Sequence, residues 1–565
     1  SSEDGQKIND NDEQIVRGSF VADPTDQLNV VLTSEYQRVD NEAAPYISIT
    51  HGTGLVGMNA QIEGYADPDE YSLAGGADID DFSTAFPGGT TQPRVVSFDE
   101  YERRAVSAAL TLDLASVTLK SITGWHDFEA GRSLDLDGGP SSGFQAILFT
   151  EADFFSQEFQ VLGTAIEERL EWVVGAYYSS EDGTDLSESF LADALGAVLS
   201  PVGIPVPVFE GDVQNDSWAA FAQGNYQLTE KLRVTLGYRY TEEDKSLVSF
   251  NRQTIGGIDG TVIDCSVPGG VIGDCRYKVN DSFDGDAWLV SLDYHVTDDV
   301  MVYLRSAESF KGGGQNLRGT PVVLTFAPIE SETARDIELG FKGQFADGRV
   351  EVNAAAYRTK YEDIQRSRNE EIDGQFLTLI KNAAEATLQG VELSATWLAT
   401  ERLSLELHAN YFDGEYDDWP DQLLTSSGEV TPVDRSITPF PDPEYTYTAS
   451  ASWDQPVSFG YVSATVDYIW QDDALLFPDR VYALPPTDPE WQNPSLVTQE
   501  SFSLVNARMV VEVTDMGLEV AFFGRNLTGE EYLTGVGDNS RTALGSIVGL
   551  AGEPRTWGLS VKKYW

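Results

Sequence analysis

In the segment Lys231-Leu232-Arg233-Val234-Thr235-Leu236-Gly237-Tyr238-Arg239-Tyr240-Thr241, Leu232, Val234, Leu236, Tyr238 and Tyr240 alternate with Arg233, Thr235, Gly237, Arg239 and Thr241. A period of two places the first set on one face of a β-strand and the second on the other. Such a run is about ten residues long, enough for a tilted strand to cross a bilayer. The register predicts that Leu236→Arg is costly in lipid and Thr235→Arg mild.

The alternation recurs. Leu403, Leu405, Leu407, Ala409 and Tyr411 interleave with Ser404, Glu406, His408 and Asn410, and Val462, Ala464, Val466, Tyr468 and Trp470 with Ser463, Thr465 and Asp467. Leu28, Val30, Leu32 and Tyr36 repeat it, as do Leu170, Trp172, Val174, Ala176 and Tyr178. Aromatic residues often end the apolar stripes, where an interfacial girdle would stand. The spacing predicts nineteen strands, near 14–22, 27–38, 102–113, 116–128, 154–164, 169–181, 216–228, 231–244, 284–296, 299–309, 335–346, 348–361, 386–399, 402–414, 444–455, 459–471, 500–513, 516–526 and 555–565. Short turns (Asp23-Pro24-Thr25-Asp26, Thr229-Glu230, Thr297-Asp298, Ala346-Asp347, Thr514-Asp515) alternate with long stretches such as 39–101, 129–153, 182–215, 245–283 and 415–443. Outer-membrane barrels keep short turns on the periplasmic side and long loops outside. The expected fold is therefore all-β, a transmembrane antiparallel β-barrel.

Composition agrees. The 565 residues hold 36 Lys plus Arg against 92 Asp plus Glu, a formal net charge of −56, which repels nucleic acid. Aromatics make up 11%, with 51 Gly and only 2 Cys, a profile of strands and turns. The start, Ser-Ser-Glu-Asp-Gly-Gln, has no basic or apolar region of a signal peptide. The longest uncharged stretch, 194–209, contains Pro201, Pro205 and Pro207 and is no membrane helix. The mean hydropathy of −0.25 is compatible with a barrel, because only alternate residues face lipid.

The segments Glu332-Thr333-Ala334-Arg335-Asp336-Ile337-Glu338-Leu339-Gly340-Phe341-Lys342, Asp347-Gly348-Arg349-Val350 and Ala354-Ala355-Ala356-Tyr357 resemble the barrel of TonB-dependent outer-membrane receptors. So do Glu308-Ser309-Phe310-Lys311-Gly312-Gly313, Asn382-Ala383-Ala384-Glu385-Ala386-Thr387 with Gly390-Val391-Glu392-Leu393, and Gly524-Arg525-Asn526-Leu527-Thr528. The last residues, Arg555 to Trp565, resemble the family's closing strand, with Trp557, Leu559, Val561 and the terminal Trp565 as its assembly signal, although Phe is usual at the last position. The resemblance covers residues 1–565 as a barrel region. It implies a barrel of 22 strands around a plug, and nothing here resembles the plug. An odd set of nineteen cannot close antiparallel. The expectation is a C-terminal portion of the barrel, with the plug and first three strands supplied upstream or by a separate chain.

The resemblance implies uptake of a scarce nutrient such as a ferric siderophore. Its implied partners are outer-membrane lipid and lipopolysaccharide, the barrel-assembly machinery, and TonB–ExbB–ExbD acting through the plug. The alternatives are a structural or adhesive surface barrel whose acidic loops dock proteins, and a passive pore. No enzyme is expected: His51, His126, His295 and His408 are scattered and no nucleophile elbow occurs. Gly52-Thr53-Gly54-Leu55-Val56-Gly57 matches a dinucleotide fingerprint, but no helical period follows, which leaves a glycine-rich loop. Cys265 and Cys275 stand in one long loop, and outside the cell they are expected to form a disulfide; with no His nearby a metal pair is the poorer reading. No cofactor is expected, except that the acidic groups Asp67/Asp69/Glu70, Asp78/Asp80/Asp81, Asp135/Asp137 and Asp417/Asp418/Asp421 offer oxygen ligands for Ca²⁺; solvated loop faces are the simpler reading. Arg233, Arg239, Glu406, His408 and Asn410 are expected to face the lumen.

Overall fold

The computed structural model describes residues 12–41, 46–51, 98–135, 144–191, 205–255, 257–372, 375–424, 429–477, 494–538 and 546–564. Its main sheet has 21 strands, of which Arg252–Ile255 and Thr261–Cys265 are short additions inside a long connection. The other nineteen form the wall: β1 (Glu13–Thr25), β2 (Leu28–Asn41), β3 (Asp99–Asp113), β4 (Val117–Asp135), β5 (Phe144–Ala165), β6 (Leu170–Leu191), β7 (Val206–Thr229), β8 (Leu232–Ser249), β9 (Tyr277–Thr297) and β10 (Val300–Lys311). They continue as β11 (Glu332–Phe345), β12 (Val350–Ile372), β13 (Gln375–Leu398), β14 (Leu403–Asp418), β15 (Tyr445–Val457), β16 (Gly460–Gln471), β17 (Phe502–Val513), β18 (Leu518–Arg525) and β19 (Thr556–Lys563). Each pairs antiparallel with the next, a single meander. Among the described residues, β1 pairs only with β2 and β19 only with β18.

Register partners share a face, so the two faces can be followed across the wall. One row reads Tyr226, Val234, Leu292, Leu304, Leu339, Ala356, Val391, Tyr411 and Tyr445, all apolar or aromatic. One residue along, the row reads Gln227, Arg233, Asp293, Tyr303, Gly340, Ala355, Glu392, Asn410 and Thr446. The first face carries exposed side chains, Leu236 at 56% and Leu339 at 61%. Lipid tails remove the hydration cost that such a belt would incur in water.

At the short-turn end, Ile166, Glu167, Glu168, Ala346 and Asp347 take positive φ. Arg169 donates to the carbonyl oxygens of Gln227 and Leu228, and Arg349 to those of Leu398 and Ala399, so each of these turns is tied to another. At the other end the strands run further than the apolar stripes. β5 starts at Phe144 and β6 reaches Leu191, so the expected loops 129–153 and 182–215 are partly strand. Beyond the bilayer neither face must be apolar, and the backbone ladder continues through pairs such as Glu151–Thr184 and Asp153–Asp182. A reading based on hydrophobic period stops where the lipid stops.

One expectation fails on packing. Thr235 is only 8% exposed and its hydroxyl donates to Asn225 Oδ1 at 3.0 Å, so an arginine there would meet neighbours and break that bond.

Candidate functional site in the lumen wall

Arg233, Arg239, Glu406, His408 and Asn410, the five residues expected to face a lumen, all lie on the polar face of the wall. Arg233 donates through Nε and Nη2 to Asp293 Oδ2 at 2.9 and 2.8 Å, and Ser291 donates to Asp293 Oδ1 at 2.7 Å. Arg239 lies 5.3 Å from the Tyr177 ring centroid and 5.8 Å from that of Phe221, and its Nε donates to Thr241 Oγ1. The wall thus holds these two arginines by different means, a carboxylate and aromatic faces.

Glu406, His408 and Asn410 form one column of β14. His408 and Asn410 border a depression of about 380 Å³ that Tyr303, Lys342 and Glu392 also line, whereas Glu406 pairs with Thr396 and Ser450 outside it. The small Ala355 also lines the depression, and Gly340 lies against the Tyr303 ring. A Cβ on Gly340 would clash with the Tyr303 ring, so only glycine lets that ring lie across the wall. Tyr303 donates its hydroxyl to Glu338 Oε1 at 2.6 Å, and Lys342 Nζ stands 5.9 Å from the ring centroid. Asn410 Oδ1 is buried with no donor among the described residues.

Above the apolar band, on the long-loop side, the connections are built structures. Cys265 and Cys275 form a disulfide with Cα atoms 5.0 Å apart, and Cys265 packs in a cluster with Leu247, Val267 and Phe326. The segment 312–331 lies against the lumen-facing series of β8. Lys245 Nζ donates to Gly313 O at 2.8 Å, the fully buried Asn251 donates to Leu317 O at 2.7 Å, and Arg318 reaches Ser187 on β6 at 3.2 Å. Its other contacts reach β13, where Asn316 exchanges two hydrogen bonds with Ile380 and Asn382 Oδ1 accepts from Glu330 N–H. The segment is therefore a strap from β6 to β13. Nearby, Glu188 accepts the Ile258 N–H at 2.6 Å; burial pushes its carboxyl above the usual carboxylate range, Asp259 adds to the shift, and that N–H and Arg252 oppose it.

Of the acidic groups, Asp67/Asp69/Glu70, Asp78/Asp80/Asp81 and Asp137 lie outside the described residues, as does the Gly52–Gly57 stretch. Asp421 is not a solvated loop residue. It is 4% exposed and accepts from Arg435 Nη1 at 3.1 Å, with the Arg435 guanidinium 4.2 Å from the Trp419 ring centroid. Asp417 turns elsewhere and accepts from Thr387. Trp419, packed with Tyr416 in one buried cluster, lies against this pair. On β12, Arg366 lies over the Tyr416 ring at 6.0 Å with Arg368 two residues on. The sequence reading passed over these arginines and Lys342; the spacing Arg366-Ser367-Arg368 in so acidic a chain was the available signal.

Trp557, Leu559 and Val561 share the exposed apolar face of β19, with Leu559 beside Phe522, whereas Trp565 lies outside the described residues.

Residues 36–527 match the family model described as TonB dependent receptor-like, beta-barrel. A pesticin receptor of Yersinia enterocolitica is 28% identical over 202 residues, 36% of this chain and 26% of that protein. The chain thus matches about a quarter of that relative's length. A ferric-pyoverdine 358 receptor of Pseudomonas putida is 31% identical over 104 residues, 18% of this chain and 12% of its own. Among solved structures, the ferric yersiniabactin uptake receptor of Yersinia pestis superposes with a TM-score of 0.70 at 17% identity, covering 98% of this chain and 71% of that one. The siderophore receptor PiuA of Acinetobacter baumannii gives 0.67 at 15%, covering 99% and 75%. With the family model spanning most of its length and a wall apolar outside and polar inside, the chain belongs to the TonB-dependent receptor-like β-barrel family.

Proposed function

We propose that the chain forms most of the wall of an outer-membrane receptor that imports a ferric chelate with energy from TonB. The observation that carries this reading is the nineteen-strand meander with one lipid-facing and one polar face, its long connections folded into a strap over the lumen side. The siderophore receptors it resembles support the substrate class.

Completion of the wall belongs to the same proposal. Among the described residues, β1 and β19 are each unpaired on one edge, and nineteen strands would bring them together parallel. Unpaired backbone groups in lipid cost several kcal/mol each. An odd number of further strands, three in a 22-strand wall, restores antiparallel closure, and a plug from sequence outside these 565 residues fills the lumen and engages TonB. Iron-55 uptake by cells lacking their own receptors tests the proposal. Uptake from at least one ferric siderophore should require both this protein with its plug and TonB. Uptake that persists without TonB points to a pore, and none from any ferric chelate overturns the reading.

A further inference from the structure

In a chain with 36 basic and 92 acidic residues, a guanidinium without a carboxylate partner needs a reason. Arg366 and Arg368 are two residues apart on β12, so alternation puts them on one face, about 7 Å apart along the strand. The register partner of Arg366 is Lys381, so no carboxylate stands directly across from it. Neither arginine makes an ion pair among the described residues, and the Nε of each is buried with no acceptor there. The Tyr416 ring supports the Arg366 guanidinium without neutralising it. Carboxylates are at hand nearby: Arg335 has Glu308, Lys360 has Glu362 and Arg305 has Asp336. None is used here.

Arg366 stands sixteen residues beyond Val350. That is about 50 Å along the strand, past an apolar core about 30 Å thick even with tilt, so the pair lies on the long-loop side in water. Two planar guanidinium forks side by side match a compact oxyanion, a carboxylate, phosphate or phenolate oxygen. We infer that Arg366 and Arg368 bind an anionic group of the ligand, so that the receptor takes a negatively charged ferric chelate in preference to a neutral one. This rests on the uptake reading and narrows it.

The test titrates the full-length receptor, folded in detergent, with iron-free citrate, ferric tris(2,3-dihydroxybenzoate) and a neutral ferric tris-hydroxamate. The anionic chelate should bind at least about tenfold tighter than the neutral one. R366Q/R368Q should abolish the difference without changing the neutral chelate, and R366K/R368K should restore part of it. Heat-modifiable mobility on gels checks that each variant is folded, and the lysine variant keeps the test decisive if the glutamine variant fails to fold. Equal binding of the anionic chelate by wild type and R366Q/R368Q overturns the inference, as does a wild type that binds neither anion. A wild type that binds citrate but no ferric chelate, and loses citrate in R366Q/R368Q, leaves the anion site standing and removes the uptake reading.

Discussion

Replacing Leu236 by arginine should destabilise the barrel by roughly 2–4 kcal/mol, the cost of a guanidinium near the bilayer midplane. The depth follows from the fold. Leu236 is four residues past the start of β8 at Leu232. With about 3.3 Å per residue and a tilt near 40°, it stands about 10 Å above the short-turn rim, close to the centre of an apolar band about 25 Å tall. Its register partners, Gly224 and Val290, share the apolar face and offer no carboxylate. The penalty corresponds to about 30- to 900-fold in the folding equilibrium. Gln223 is the control: it pairs with Gly237 on the polar face at nearly the same height and is exposed, so Gln223→Arg should stay within about 0.5 kcal/mol. Denaturant titration of folding into phosphatidylcholine vesicles, followed by tryptophan fluorescence, measures both. Equal penalties, or a larger one at Gln223, would show that the assignment of faces is wrong.

Three other outcomes are expected. Arg435→Met leaves Asp421 buried without its guanidinium and should loosen the 416–440 segment by about 3–5 kcal/mol, with the double variant Asp421→Asn/Arg435→Met recovering part of the loss; hydrogen exchange of peptides from that segment reads both. Removing the disulfide with Cys265→Ser/Cys275→Ser should lower the stability of the loop by about 2–3 kcal/mol and raise proteolysis at 266–274, while an unchanged cleavage rate would deny the bond a constraining role. Glu188 has a raised folded-state pKa, so the stability it contributes is fully present below the unfolded carboxylate value and lost as pH rises through the folded one. The β6 end and residues 257–260 should therefore open more readily at pH 7 than at pH 4 after correction for intrinsic exchange, and Glu188→Gln should flatten that dependence.

Which parts were legible in the sequence follows from what each part must satisfy. Leu232 to Tyr240 must present apolar groups to lipid at every second position, so strand, face and register stand written in the residue types. The polar outer parts of β5 and β6 carry no such obligation, and residues such as Thr184 and Asp185 read as loop although their backbones pair. The depression beside His408 and Asn410 is lined also by Ala355, two strands away, and by Tyr303, whose ring lies against Gly340 three strands away, and no local pattern in β14 announces them.

The amino-acid sequence by itself determined the class of fold, the nineteen wall strands and which side chains face lipid, because a bilayer imposes one rule with a period of two residues along the whole wall. Only the tertiary structure decided that 312–331 is a strap from β6 to β13, that Asp421 is buried against Arg435, and that Arg366 and Arg368 stand together without a carboxylate among the described residues. Those features come from contacts between segments far apart in the chain, where each residue is chosen for one particular neighbour and no repeating pattern reveals it.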